Sequence, residues 1–202
     1  GHGFLNLNSE PVCSFSDGRF KSSTHRAKLV QVEEALLESS IDPLEGSSLF
    51  KISAEIVHSA ETFKHGCTLI VDLNDVPLKI SGQALAPPMD LRQANCLELA
   101  KSLAKVDGAL HIGRDLHLHG FASLLDGPCI AGEDRARGAR FNSALRFTAQ
   151  YSDIIVVVVS SDRPVSVIQD GVELSAQCQW RPVSTCVVMP PTLKEWIAQS
   201  EG

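Results

Sequence analysis

Two strings of residues carry chemistry: Asp107-Gly108-Ala109 and, about one supersecondary unit later, Gly138-Ala139-Arg140-Phe141-Asn142-Ser143. A carboxylate beside a glycine at the mouth of a strand can hold a divalent cation or orient a ribose hydroxyl, and the glycine admits a ligand close to the backbone. A helix opened by Gly138 leaves its first amides without internal partners. Together with the positive end of the helix dipole, they favour phosphate. Arg140 can fork onto phosphate oxygens, and Asn142 and Ser143 can add neutral hydrogen bonds. Ser160-Ser161-Asp162 follows the unbroken β-branched run Ile154 to Val159. Ligands of open α/β sheets collect at the C-terminal ends of strands, which puts Ser160 near the same cleft and makes Asp162 a second candidate carboxylate. Each string also has an ordinary reading: Asp-Gly starts hairpins, glycine precedes exposed helices, and Ser-Ser-Asp is a polar strand exit.

Other reactive residues point less far. His117 and His119 share one face of an expected strand, and His111 pairs with them across a hairpin. No carboxylate or cysteine completes a metal-ligand set at usable spacing, so these read as surface strand histidines. The six cysteines are scattered without a Cys-x-x-Cys pair. They read as reduced, mostly buried thiols of a cytoplasmic protein. The net charge of −6 and the absence of a basic stripe argue against nucleic acid as a partner. No apolar run is long enough to span a bilayer. Arg135, Arg137, Arg140 and Arg146 do cluster, either as a solvated face paired with Glu133 and Asp134 or as a phosphate-facing rim.

The elements that must position these residues follow from periodicity. Residues 1–23 read as a flexible arm that begins in a tag remnant, Gly1-His2-Gly3, so the chain is expected to be cut from a longer protein. Residues 24–202 read as a single domain with its core at about 48–175. A helix is expected from Thr24 to Ser39, with Leu29, Val30, Val32, Leu36 and Leu37 inward. Asp42-Pro43 breaks it. A second helix starts at Ser47 or Ser48 and buries Leu49, Ile52, Ile56, Ala60 and Phe63, with Gly66 as its stop. Cys67 to Val71 is a buried strand, Pro77 to Ile80 starts another, and Pro87-Pro88 bars regular structure. Asp90 caps a third helix running to Lys105, with Cys96, Leu97, Leu99, Ala100 and Leu103 inward. Ala109 to Ile112 and Leu116 to Leu124 form a hairpin, and Ala139 to Tyr151 is helical. Ile154 to Val159 suits a central strand buried on both faces, with Pro164 to Ile168 beside it and a turn at Asp170-Gly171. Thr192 to Ala198 forms a last short helix. The sum is an α/β (α+β) fold: a mixed central β-sheet with helices on both faces.

In order and spacing these pieces resemble the diadenylate cyclase domain of bacterial DNA-integrity scanning proteins and membrane-bound cyclases, over about residues 48–175. Gly66 to Val71 resembles the family's Gly-Ala-Leu-Leu-Val strand, Asp107-Gly108-Ala109 its Asp-Gly-Ala motif, and Gly138 to Leu145 its Gly-Thr-Arg-His-Arg-Ala-Ala element. Ser152-Asp153 through Ser160 resembles its Ser-Asp-Ala-plus-valine strand. The resemblance implies a domain that holds ATP and, paired face to face with a second copy, fuses two ATP molecules into cyclic di-AMP with Mg²⁺ or Mn²⁺. It implies Asp107 near the metal and the attacking hydroxyl, Gly108 and Ala109 along the nucleotide, and Arg140 with the helix start at the phosphates.

The chain departs from the family at the phosphate element. Arg-His-Arg reads Arg140-Phe141-Asn142, the preceding threonine is Ala139, and the acidic position after the strand-end serine is Ser161, for which Asp162 can compensate. Losing one transition-state charge contact commonly slows a reaction ~10²–10³-fold. Phe141 either stacks on a base or packs in the core. The leading expectation is a catalytically degenerate sensor that binds an adenine nucleotide or a cyclic dinucleotide and signals to an effector domain of the full-length protein. The alternatives are an active cyclase using Asp107, Asp162 and the arginines, and a dimerisation scaffold with an empty cleft.

Overall fold

A computed structural model of the chain describes residues 2–7, 10–16, 19–22, 29–130, 133–160 and 164–174. Within the first 22 residues three strands, β1 (His2–Leu7), β2 (Glu10–Ser16) and β3 (Arg19–Ser22), pair as an antiparallel meander. The remaining elements are α1 (Val30–Glu38), α2 (Pro43–Thr62), β4 (Cys67–Asp72), β5 (Gln83–Asp90), α3 (Ala94–Leu103), β6 (Ala109–Gly113), β7 (His117–Ser123), α4 (Ala139–Gln150), β8 (Ile154–Val159), β9 (Ser166–Gln169) and β10 (Val172–Glu173). The last expected helix, Thr192 to Ala198, lies outside the described residues.

β4 to β10 form one mixed sheet in the order β10-β9-β8-β4-β6-β7-β5. Only β4 and β6 run parallel; the other neighbours are antiparallel. Period-two alternation sends the strand side chains into two cores. On one face Leu69, Val71, Leu110, Ile112, Ile155 and Val157 pack against α1, α2 and α3. On the other Ile70, Ile154, Val156 and Ile168 pack against Phe141, Ala144 and Phe147 of α4. β8 feeds both, which is why its sequence is uniformly β-branched rather than alternating. Helices therefore cover both faces, as the sequence implies.

Boundaries differ where capping and edge position override pattern. Asp42-Pro43 starts α2 instead of breaking the chain. The Asp42 carboxylate accepts from the amides of Leu44 (2.9 Å) and Glu45 (3.3 Å), and Pro43 takes the first helical position, where no amide is needed. The helix thus begins a turn before Ser47. β5 carries Pro87 and Pro88 because it is an edge strand: pairing with β7 lapses between Ala84 and Met89, so the missing amides cost no ladder bond. Pro77 to Ile80 is irregular rather than extended. Asp90 bonds Arg92 instead of capping α3, which starts at Ala94. Val30, Leu37, Phe63 and Leu99 face outward. The helical stripes are narrower than the apolar residues in them.

The end of β4 buries an aspartate–histidine pair. Asp72 is wholly enclosed, and its Oδ2 accepts from His111 Nε2 at 2.9 Å and from the Leu78 amide at 2.7 Å. Its Oδ1 accepts from the Asn74 amide and side chain. Burial pushes this carboxyl up, but the His111 bond and the amide donors outweigh it and hold it below its ordinary value. His111, expected on the surface, is buried, because it stands on the same face of the sheet as Ile70 and Asp72.

Candidate functional site

The Asp107 turn and the start of α4 meet. β4 and β6 run parallel, so the turn entering β6 lies beside Gly66 at the entry to β4, and α4 crosses the face above them. Arg140 Nη2 donates to Asp107 Oδ1 at 3.1 Å, and Asp107 is otherwise almost fully exposed. The Arg140 guanidinium lies on Gly66, where an added Cβ would stand 2.0 Å from Nη1. Any side chain at Gly66 would displace the arginine.

Two clefts open on either side of this ion pair, and Asp107, Gly138, Ala139 and Arg140 line both. One, of about 780 Å³, is walled by Arg137, Phe141, Val159, Ser160, Val165 and Glu173. The other, of about 700 Å³, is walled by Gly108, Ala109, Leu124, Leu125, Asn142 and Ser143. Every site residue proposed from the sequence thus borders one cleft or the other, except Asp162, which lies outside the described residues. Gly138 adopts φ 91° and gives α4 no side-chain cap, so the amides of the first turn are left for solvent or a ligand.

Several of these residues have structural duties. Gly108 sits at φ 106°, and a Cβ there would meet the Ala122 backbone at 2.5 Å. Its close approach is to β7, which by itself accounts for the glycine. Phe141 is buried in the α4 core, and the Arg137 guanidinium covers its ring at 3.9 Å from the centroid. Of the two roles open to it, it takes the core. Asn142 is equally enclosed, and its amide donates to the Asp134 carbonyl at 3.0 Å, pinning the loop before α4. Ser143 donates to the Arg140 carbonyl within the helix.

The arginine cluster divides. Arg146 pairs with Glu133, as on an ordinary solvated face. Arg137 instead reaches across the first cleft to Glu173 Oε1 at 2.7 Å and Ser166 Oγ at 3.3 Å. The Glu173 bond raises the Arg137 pKa. Burial works to raise Glu173, but its bonds to Arg137 and Ser166 hold it below its ordinary value. Arg137 is a fixed cation of the site that sequence reasoning grouped with its neighbours and did not single out. Its partners come from β9 and β10, and only the register of that hairpin reveals them. Cys67, behind Arg140, is buried, which pushes its thiol up to about 12, partly opposed by the arginine; it is inert as a nucleophile at neutral pH.

Among the described residues no group of three or more His, Cys, Asp or Glu side chains is arranged to hold a metal, and no helix is long and apolar enough to cross a membrane.

An uncapped helix start, Arg137 and Arg140, and the carboxylates of Asp107 and Glu173 surround an open cleft on the α/β sheet. The family model of the DisA bacterial checkpoint controller nucleotide-binding domain (DAC) matches residues 54–173, more than half of the 202-residue chain, and the chain belongs to that family. The resemblance to the diadenylate cyclase domain is thereby borne out. A hypothetical membrane spanning protein from Bacillus cereus is similar in structure, with a TM-score of 0.49 at 19% identity over 70% of this chain and 68% of that chain. DacA from Staphylococcus aureus, solved as a double mutant, has a TM-score of 0.46 at 17% identity over 63% of this chain and 85% of that one. No curated protein matches the chain.

Proposed function

We propose that the clefts around Arg140 bind an adenine nucleotide or a cyclic dinucleotide, and that the domain is a sensor that has lost most of its capacity to cyclise ATP. One observation carries this reading. The two positions where the family's element has histidine and arginine are turned inward: Phe141 lies under Arg137, and Asn142 is tied to Asp134. Neither delivers charge to a phosphate. Arg140 and the open amides of α4 keep the features of a phosphate cradle. Arg137 lies on the same wall, its charge offset by Glu173.

Condensing two nucleotides requires positioning and charge neutralisation more than a covalent protein group. Asp107 fits as the protein's carboxylate to a Mg²⁺ or Mn²⁺ ion carried by the phosphates, since such an ion needs one or two carboxylates when phosphate and water supply the rest. When bound, that ion would neutralise charge developing on the phosphates. To accept it, Asp107 must leave Arg140, so a phosphate group that engages Arg140 also frees the carboxylate. The exposure of Asp107 suits a face-to-face homodimer, and the sensor reading implies an effector domain elsewhere in the protein and a cytoplasmic site of action.

The test is a thermal-shift series with ATP, ADP and cyclic di-AMP, with product separation after incubation with ATP and Mg²⁺ or Mn²⁺. The sensor reading expects a raised melting midpoint with at least one of these and cyclic di-AMP at trace level or none. Abundant cyclic di-AMP that is abolished by Asp107→Asn makes the domain an active cyclase instead. No shift with any nucleotide leaves a dimerisation scaffold.

A further inference from the structure

The histidines of the β6–β7 hairpin line a separate cavity. It measures about 470 Å³ and lies between residues 77–85 and the hairpin. It is lined by Lys79, His111 and His119 and by apolar Leu78, Ile80 and Leu85. Both imidazoles are oriented by a carboxylate behind them: His111 Nε2 bonds Asp72 at 2.9 Å, and His119 Nε2 bonds Asp115 at 3.0 Å. Their ring centroids are 5.7 Å apart. With each Nε2 engaged, Nδ1 is the nitrogen left on both rings, and among the described residues no hydrogen bond reaches either one. His111 is 97% enclosed by the protein, being 3% exposed, yet borders the cavity. No carboxylate lines this space; Asp72 and Asp115 stand outside it, where they fix the orientation of the imidazoles.

We propose that this cavity is a second ligand site, distinct from the nucleotide clefts, for a small organic carboxylate with an apolar body. The anionic end would sit between the two Nδ1 atoms and Lys79; each Nδ1 donates to it only when its ring carries both protons, the Nε2 proton being held by Asp72 or Asp115, so anion and ring protons bind together. The apolar body would cover Leu78, Ile80 and Leu85. The volume is that of an ordinary small-molecule site. Inorganic phosphate has the charge but leaves the apolar wall wet, so it binds more weakly. The cavity adjoins the second nucleotide cleft only at Ser123, which lines both.

Benzoate titrated into the full chain, with the imidazole C–H signals followed by NMR, tests this. Saturable shifts are expected at His111 and His119. Benzyl alcohol, similar in shape but uncharged, should bind at least about tenfold more weakly. Lys79→Met and His119→Gln should each weaken benzoate about tenfold with little change in the unliganded melting midpoint. These two variants avoid the buried Asp72–His111 pair, whose loss threatens folding. The proposal fails if benzoate leaves His111 and His119 unmoved, if benzyl alcohol binds as well, or if neither variant weakens binding. It fails also if Arg140→Ala abolishes the response, which would assign the anion to the nucleotide cleft.

Discussion

Asp72 and Asp107 are both aspartates bonded to a basic side chain at an end of the sheet, His111 in one case and Arg140 in the other, and they are opposites in every other respect. Asp72 is sealed, with four donors converging on two oxygens. Asp107 is 96% exposed and holds one arginine. A buried carboxylate is tolerable only when fully bonded, and once bonded it is costly to disturb. An exposed ion pair contributes little to stability, so its geometry is free to serve binding. The first kind of site fixes a loop; the second can exchange its partner for a ligand.

The largest effect is expected at the sealed site. Asp72→Ala should cost about 3 kcal/mol or more in urea unfolding, because it strands His111 and the Leu78 and Asn74 amides. The pH dependence carries the same signature. The folded-state pKa of Asp72 lies below the ordinary value of 3.8, so the unfolded chain binds the proton more readily. Its contribution is therefore complete well above 3.8 and is lost as pH falls through the folded value. Urea midpoints measured from pH 6 to pH 3 should fall less steeply in Asp72→Asn than in the parent. An equal slope would mean that Asp72 is not the coupled group.

A smaller contrast separates two glycines of the candidate site. Both have positive φ, but a Cβ at Gly108 collides with the Ala122 backbone, whereas one at Gly138 meets nothing within 4 Å. Gly108→Ala should cost about 2–3 kcal/mol, Gly138→Ala about 1 kcal/mol, read as thermal midpoints. Equal costs would show that β7 yields and that the glycine serves something other than packing. Smallest of all, Asp107→Asn should move the unliganded midpoint by no more than about 1 °C, since its ion pair is solvated. A large shift would erase the contrast with Asp72.

Much of the architecture is legible because periodicity and length are local. The Ile154 to Val159 run, the β6–β7 hairpin and the α4 span each follow from a short window. Boundaries fail where one residue has two readings: Asp42-Pro43 is equally a helix stop and a helix start, and a proline pair bars a strand only if the strand is internal. For the site, the order of motifs identifies the family and brings Asp107 and Arg140 forward as candidates. It does not separate Arg137 from Arg146, because their partners, Glu173 and Glu133, lie on different elements.

The sequence by itself determines the residue types, the strand and helix periods, and the departure from Arg-His-Arg at Phe141 and Asn142. Whether those side chains face a ligand or the core is decided by the rotation of α4 on the sheet, and that depends on how Phe147, Ile154 and Ile168 pack. The pairing of Asp72 with His111 is likewise decided by the parallel register of β4 and β6. A one-residue slip would send either side chain to the opposite face, and strand register is set by the summed burial of both cores rather than by the pair it brings together.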